Sequence, residues 1–583
     1  MYISELKLWN FRKYTNEDGS IDLEHPHLVV PFKKGLNVLI GENDSGKTAI
    51  IDALKLVCKT HSIEWIRAID ADFTIGRDAF RIEVVLQDLT EDEASQFPEK
   101  VMFDGEETLL RFVLEVSKSG DRIMPYEVKA HNGILVSLSA EEKDLLKSTY
   151  LKALRDAETE LTAKKGSRFS QILLGHELFA EGATGKDFFE STFNNANDSI
   201  KEWVNDETGG ERSPKQMIKG VIDSFVHSFI SDNKESDIQI SEANIRSILE
   251  KLSVVIKDEI SPGLGSLNRL YMATELLHLR KESNNLKLCL IEELEAHLHP
   301  QAQMKVVERL QKEEEVQFIM STHSPQIGSK IRLDAENTSV IICKDNEVYP
   351  LSKGLTKLEA NDYKYLDNFL DVTKANLFFA KGVIIVEGWA EELIMPALAI
   401  NQRKSLTTNE VSVVNVGSTA YLHYARILMR NDEKILNYPV SIVTDYDVRP
   451  KEDWSFDAEE ERAKLESIIR TLNADDNENI GLFVATHWTL EWCLFNSSAL
   501  CTMFMDCCAA THSRTDEFKK TDDGEYNKEV FKRKLRDKLV DRSLDKVKIA
   551  TLLSEKIKNS EKIDISEEDA AYYLLQAISH VCN

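Results

Sequence analysis

The chain of 583 residues is 42% hydrophobic and 29% charged, with 72 Lys and Arg against 99 Asp and Glu, a net charge of −27. That length and apolar content suit two or more domains with cores of their own, and an overall acidic charge excludes binding to nucleic acid through net charge alone. No run of eighteen apolar residues is present, the opening MYISELKLWNFRKY lacks the apolar stretch of a secretory signal, and the eight cysteines form no CxxC pair, so a cytoplasmic chain with reduced thiols and no membrane span is expected.

From the N-terminus, Ile3, Leu6 and Leu8 mark a first strand, Gly35–Ile40 (GLNVLI) a short apolar strand, and Ala49–Cys58 a helix by its apolar spacing. Residues 80–130 alternate as antiparallel strands (FRIEVVLQDL, RFVLEVSKSG). From Ala140 to Ile260 the pattern turns helical and polar, with glycine interruptions at Gly182 and Gly209–Gly210, and reads as an insertion. Strand–helix alternation returns over 286–345, a hinge is expected at Lys353–Lys374, and a second α/β unit opens with GVIIVEG at Gly382. The expected division is therefore 1–139, first part of an α/β unit; 140–260, helical insertion; 261–375, second part of that unit; and 376–583, a Rossmann-like α/β domain with C-terminal helical elements.

Gly41–Thr48, GENDSGKT, fits G-x-x-x-x-G-K-[ST] between a strand and a helix. In that setting Asn43, Gly46 and the backbone N–H groups around them face phosphate, Lys47 reaches the β and γ oxygens, and Thr48 ligates Mg²⁺ at the positive end of the helix. Leu286–Glu293, LKLCLIEE, is an apolar strand ending in two acids. Glu292 is placed to hold Mg²⁺ and Glu293 to polarise the attacking water, while His323, after the strand QFIMST, is placed to sense the γ-phosphate. Together with Asn10-Phe11-Arg12, LIEELEAHLHP and STHSP, these stretches resemble the ABC-type ATPase heads of the recombination and SMC-like group. The resemblance implies a signature loop that caps the ATP of a second subunit. Its match is Ser261–Asn268, SPGLGSLN, with Gly263, Gly265 and Ser266 as the capping residues. Gln87 is a Q-loop residue or an ordinary strand-end residue.

A second centre follows. GVIIVEGWAE ends a strand in Glu387, with Glu391 four residues on. VVNVGS then ends at Gly417-Ser418, and PVSIVTDYD ends a further strand in Asp445 and Asp447, two apart and so on one side of an extended strand. Acids at adjacent strand ends make a hard oxygen site for Mg²⁺ or Mn²⁺, with Ca²⁺ as an alternative. Two such ions would clamp the attacking and leaving oxygens of a phosphodiester.

The order EGxxE, GS, DxD resembles a Toprim domain. Joined behind an ABC-type ATPase, and with Tyr150–Asp156 (YLKALRD) as a further match, it resembles the family named for "overcoming lysogenization defect" (OLD). The resemblance implies divalent-metal cleavage of DNA, service in phage defence, and in some members a helicase or retron partner. It also implies a later acid at Glu491 in TLEWCL, and a catalytic lysine in KVKIATLL, Lys546 or Lys548, with Lys548 slightly preferred.

Other signals are weaker. Lys519–Lys548 holds eleven Lys and Arg against seven Asp and Glu, a local basic excess or a solvated helix face. Cys493, Cys501, Cys507, Cys508 and His512 cluster without zinc spacing and read as buried cysteines. Trp488 and Trp492 read as packing residues. The leading expectation is an ATP-regulated, metal-dependent DNA endonuclease acting as a homodimer or larger homo-oligomer. Its rivals are a DNA-bridging ATPase with an inert Toprim scaffold and an RNA-cleaving Toprim nuclease.

Overall fold

The computed structural model describes residues 1–61, 66–105, 107–152, 161–180, 182–206, 213–229, 236–237, 244–259, 262–281, 285–432, 434–472 and 479–582. Ser261, Gly209–Gly210, Ile260 and most of the YLKALRD match lie outside them. Three sheets organise these residues. The first is antiparallel and runs Leu28–Pro31, Tyr2–Trp9, Ala79–Gln87, Glu107–Ser119, Val128–His131, Leu135–Ser137. The second runs Thr149–Leu151, Leu288–Ile291, Gln317–Ser321, Leu36–Ile40, Ser339–Lys344, Glu347–Pro350, parallel except for its last strand. The third is a parallel sheet in the order Val411–Asn415, Gly382–Val386, Val440–Thr444, Ile480–Val484. Parallel strands buried on both faces need apolar residues at every position. LNVLI, LCLI and GVIIV supply them and are buried throughout.

The two-residue period of these strands sorts their side chains into separate cores. In the second sheet Leu39, Leu290, Ile319 and Ile341 point into the core shared with the first sheet and the Lys47–Cys58 helix. Val38, Ile40, Cys289, Ile291, Phe318 and Met320 point the other way. That second core does not end with the ATPase. It continues through Tyr363, Leu366, Leu377 and Phe378 to Val383, Ile385, Val440 and Ile442 of the third sheet. The alternate residues Ile384 and Val386 face the C-terminal helices instead. The two halves of the chain therefore share one apolar core.

Two expectations are corrected here. Thr149–Leu151, inside the stretch read as helical, is the outer strand of the second sheet and pairs in parallel with Leu288–Ile291. The expected hinge is packed: its helix Ala360–Phe369 buries Tyr363 and Leu366, and the Asp362 carboxylate accepts from Arg426 (3.1 Å), His423 (2.5 Å) and the Glu359 N–H (2.7 Å). Tyr363, Leu366 and Leu370 follow helical spacing and give the segment a buried face.

Beyond that strand the regular elements among the described residues of the insertion are all helical. Its Thr184–Asn205 helix buries no residue, and with Pro214–Phe229 it exposes Phe188, Trp203, Met217 and Val221. A bidentate pair from Arg168 to Glu275 (2.7 and 2.8 Å) ties the insertion to the Leu264–Lys281 helix. Among the described residues no helix is long and apolar enough to cross a membrane.

Candidate active sites

The phosphate loop takes its shape from backbone that only some residues tolerate. Gly41 and Gly46 have φ of 147° and 101°. A Cβ at Gly46 would meet the Tyr14 hydroxyl at 2.0 Å, and one at Gly41 the Cys343 carbonyl at 2.4 Å. The Lys47 ammonium is buried within the loop, donating to the carbonyls of Gly41 (2.9 Å) and Glu42 (2.5 Å) and to Ser45 Oγ (3.1 Å). Burial, then neighbouring Lys13, hold Lys47 below its ordinary pKa. A phosphate group would supply the negative charge this ammonium lacks. Thr48 and Asn43 are exposed at the loop.

Glu292 ends the Leu288–Ile291 strand and accepts a hydrogen bond from the Tyr150 hydroxyl at 2.7 Å. Burial raises its pKa, and Asp52 and Glu293 raise it further. Glu293 is exposed, with a left-handed backbone at φ 44°, and its N–H donates to Ser321 Oγ at 3.3 Å. His323 lies near Lys47 and is held below its ordinary pKa by burial and by that lysine. Glu295, not singled out from the sequence, positions this loop: it accepts from Thr322 Oγ1 (2.8 Å) and from the His323 N–H (2.6 Å). Gly263 and Gly265 lie at the start of the Leu264–Lys281 helix, where a Cβ on Gly265 would come within 2.9 Å of the His297 carbonyl. Gln87 donates to Glu107 (3.4 Å) at the end of its strand, an ordinary strand-end contact.

In the third sheet Gly382–Val386 is flanked by Val411–Asn415 on one side and Val440–Thr444 on the other. This is the point where strand order reverses, and crevices for ligands open there at the strands' carboxyl ends. Glu387 stands at that end and accepts from Thr444 Oγ1 and from the Asp445 N–H. Gly388 turns the chain into the Trp389–Asn401 helix, whose first turn carries Glu391. Glu391, Asp445 and Glu491 repel one another, as do Glu387 and Asp447. Burial and this crowding raise Glu391 to about 7, and raise Asp445 and Glu387 as well. Lys546 Nζ donates to Glu491 at 2.8 Å. Burial pulls that ammonium down, but Glu491, Asp445 and Glu391 carry it above its ordinary value.

The sequence reading is adjusted at three points. Both lysines are exposed, but it is Lys546, not Lys548, whose ammonium pairs with Glu491; the Lys548 N–H donates to Asp545. Asp445 and Asp447 do not share a strand face, because the strand stops at Thr444 and Asp447 turns left-handed at φ 59°. Glu491, expected as a metal-site acid, is buried and accepts from Lys546, a partner the sequence did not give it. Thr444 and Lys464, both facing Glu387, were missed. Thr444 was legible as the polar end of an apolar strand next to DxD, whereas Lys464 lies on a charged helix with nothing to mark it. Cys493, Cys501, Cys507 and Cys508 are buried free thiols.

Among the described residues no three His, Cys, Asp or Glu side chains close on a common point tightly enough to hold an ion as they stand. The donor set nonetheless suits a divalent cation: hard carboxylate oxygens, of which Glu387, Glu391 and Asp445 are held above the ordinary carboxylate value by burial first and by neighbouring acids second, a cost that such an ion relieves.

The two centres adjoin through charged groups as well as through the core. Glu42 of the phosphate loop faces Lys344 (3.4 Å) and Lys381 (3.9 Å), and Lys381 also pairs with Glu410 (3.0 Å). Lys381 immediately precedes the strand that delivers Glu387. Lys344 lies 5.1 Å over the ring of Tyr438, which precedes the strand that delivers Asp445.

Residues 36–327 match the family described as "AAA domain, putative AbiEii toxin, Type IV TA system", half of the chain, and residues 378–447 match the Toprim domain of overcoming lysogenization defect protein-like proteins. The chain belongs to that AAA family and is built on the OLD plan, ATPase first and Toprim second. Among its relatives, Endonuclease GajA of Bacillus cereus (strain HuB5-5) is 22% identical over 557 residues, covering 78% of each chain. The GajA of Bacillus cereus (strain VD045) is 22% identical over 484 residues, covering 77% of this chain and 76% of that one. The Retron Ec83 probable ATPase of Escherichia coli is 27% identical over 164 residues, 27% of this chain and 28% of the relative. The C-terminal region of the Xanthomonas campestris pv. campestris OLD protein aligns with 35% of this chain and 94% of its own at 23% identity and a TM-score of 0.25. An AAA domain with an OLD-like Toprim domain uses nucleotide and divalent metal.

Proposed function

We propose that this OLD-type chain is an ATP-controlled, metal-dependent DNA endonuclease of anti-phage defence, acting in the cytoplasm. One observation carries the reading: acids from three separate stretches, Glu387 with Glu391, Asp445 with Asp447, and Glu491, gather with Lys546 at the carboxyl edge of one parallel sheet. The relatives named endonuclease support the substrate class.

Glu387, Glu391, Asp445 and Asp447, with Glu491, would hold the metal, Mg²⁺ first, with Mn²⁺ or Ca²⁺ as alternatives. The bound ion would polarise the scissile phosphate and make water a stronger nucleophile. Lys546 faces the charge that develops on the cleaved phosphate. Thr444 and the Asp445 N–H orient Glu387. In the ATPase, Lys47 and Thr48 bind the nucleotide with Glu292, Glu293 polarises the water, His323 reads the γ-phosphate, and Gly263, Gly265 and Ser266 cap the nucleotide of a second subunit. The exposed apolar face of the insertion supports a homodimer or larger homo-oligomer. A helicase or a retron would be the further partner.

Plasmid cleavage with Mg²⁺, Mn²⁺, Ca²⁺ or no added metal, crossed with ATP, a non-hydrolysable analogue or no nucleotide, tests the reading. Cleavage should require metal, respond to nucleotide, and fall by at least about a hundredfold in Glu387→Gln and Asp445→Asn while ATP hydrolysis persists. Undiminished cleavage in both variants would sink it.

A further inference from the structure

The basic run Lys519–Lys548 is sorted by the fold into two classes. Lys519, Lys520, Lys534 and Lys546 are each paired, with Asp516, Asp506, Glu517 and Glu491. The Lys528–Val540 helix carries six cations, Lys528, Lys532, Arg533, Lys534, Arg536 and Lys538, against Glu529 and Asp537. Of these six, only Lys534 has a carboxylate partner among the described residues. Phe531, Leu535 and Leu539 bury the inner face of the helix at i, i+4 and i+8. Lys528, Lys532 and Arg536 share the same spacing on a neighbouring stripe.

That stripe is fixed beside the acids. Lys532 Nζ lies 4.7 Å over the Trp454 ring and 5.7 Å over Trp492, and Arg536 lies 6.0 Å over Trp454. Trp454 stacks on Trp492 with ring centroids 6.0 Å apart. Trp492 follows Glu491 directly, and the Trp488 carbonyl accepts from the Asp447 N–H at 2.9 Å. One tryptophan layer thus separates the basic stripe from Asp447 and Glu491. An aromatic face orients a cation without neutralising it, so the charge stays available to an anion.

We propose that Lys528, Lys532 and Arg536 form a track for the DNA backbone beside the cut site. An acidic cluster repels the polyanion it must engage, and in a chain of net charge −27 this helix supplies the opposite sign next to it. A four-residue helical step advances about 6 Å, and one DNA strand places a phosphate every 3.4 Å or so of its axis. Because the strand also winds about that axis, neighbouring phosphates lie further apart than this rise, and the step of the stripe is of the same order as their separation. The track rests on the phosphodiesterase reading for its substrate class, but its test does not depend on cleavage.

The full-length protein should be titrated with a fluorescent DNA duplex in EDTA, over a range of salt. K528E/K532E/R536E should bind at least about tenfold more weakly, with a salt slope shallower by roughly two to three, while its thermal midpoint and ATP hydrolysis stay parental. Should that variant fail to fold, K528Q, at an exposed position of the stripe, should still lose about one unit of slope. Parental affinity and slope in a folded variant would overturn the track. Loss of binding in the variant, with no cleavage by the wild type in any metal, would keep the track and remove the nuclease reading instead.

Discussion

At the scale of single residues the second centre turns on which lysine enters it. Lys546 and Lys548 lie one step apart in KVKIATLL, and spacing alone does not separate them. The fold does: the Asp545 cap starts the helix at Lys546, so the first helical side chain meets Glu491 and the third faces away. Lys546→Ala should lower cleavage by about a hundredfold or more and leave DNA binding in EDTA intact. Lys548→Ala should cleave within about twofold of the parent. The acids were legible because each closes an apolar strand or opens a helix, a pattern of residue types. The split among them was not, because it depends on the positive φ of Asp447, a backbone state that its residue type permits without announcing. Glu295 was missed for a similar reason: its work is to hold the Thr322–His323 turn, and that contact spans 27 residues.

At the scale of elements the phosphate loop, the acid-ended strands and the parallel sheets follow from short apolar runs ended by glycine or acid, and were readable. The packed linker and the Thr149–Leu151 strand were not, since both are short and gain their apolar surroundings only from the tertiary fold. Asp362 shows what the linker does. It is buried and joins the Ala360–Phe369 helix to Arg426 and His423 of the Tyr421–Leu428 helix. Burial alone would raise its carboxyl, but the Glu359 N–H, His423 and Arg426 hold it below the ordinary carboxylate value. A carboxyl depressed in the folded state stabilises fully above its unfolded pKa of about 3.9, and that stability is lost as pH falls through the folded value. Asp362→Asn should therefore lower stability by about 3 kcal/mol at neutral pH, read by denaturant unfolding, and the gap from the parent should close below about pH 4.

At the scale of the whole molecule the insertion presents an exposed apolar face and the two halves share one core. The insertion's outer face leaves Trp203 66% and Val221 61% exposed. If the proposed assembly runs through this face, replacing both by Glu should lower the mass measured by light scattering to that of one chain and reduce ATP hydrolysis with it. An unchanged mass would remove the insertion from the assembly.

The alternation along Gly382–Val386 has a genetic corollary. Ile384 and Val386 belong to the C-terminal half, whereas Val383 and Ile385 belong to the core they share with the ATPase sheet. Under the proposed defence function, alleles selected for lost protection against phage should therefore fall into two phenotypic classes along a single five-residue stretch. Lesions at Ile384 and Val386 should spare nucleotide turnover, and those at Val383 and Ile385 should mimic defects in the phosphate loop, although every one of them maps to the Toprim coding segment.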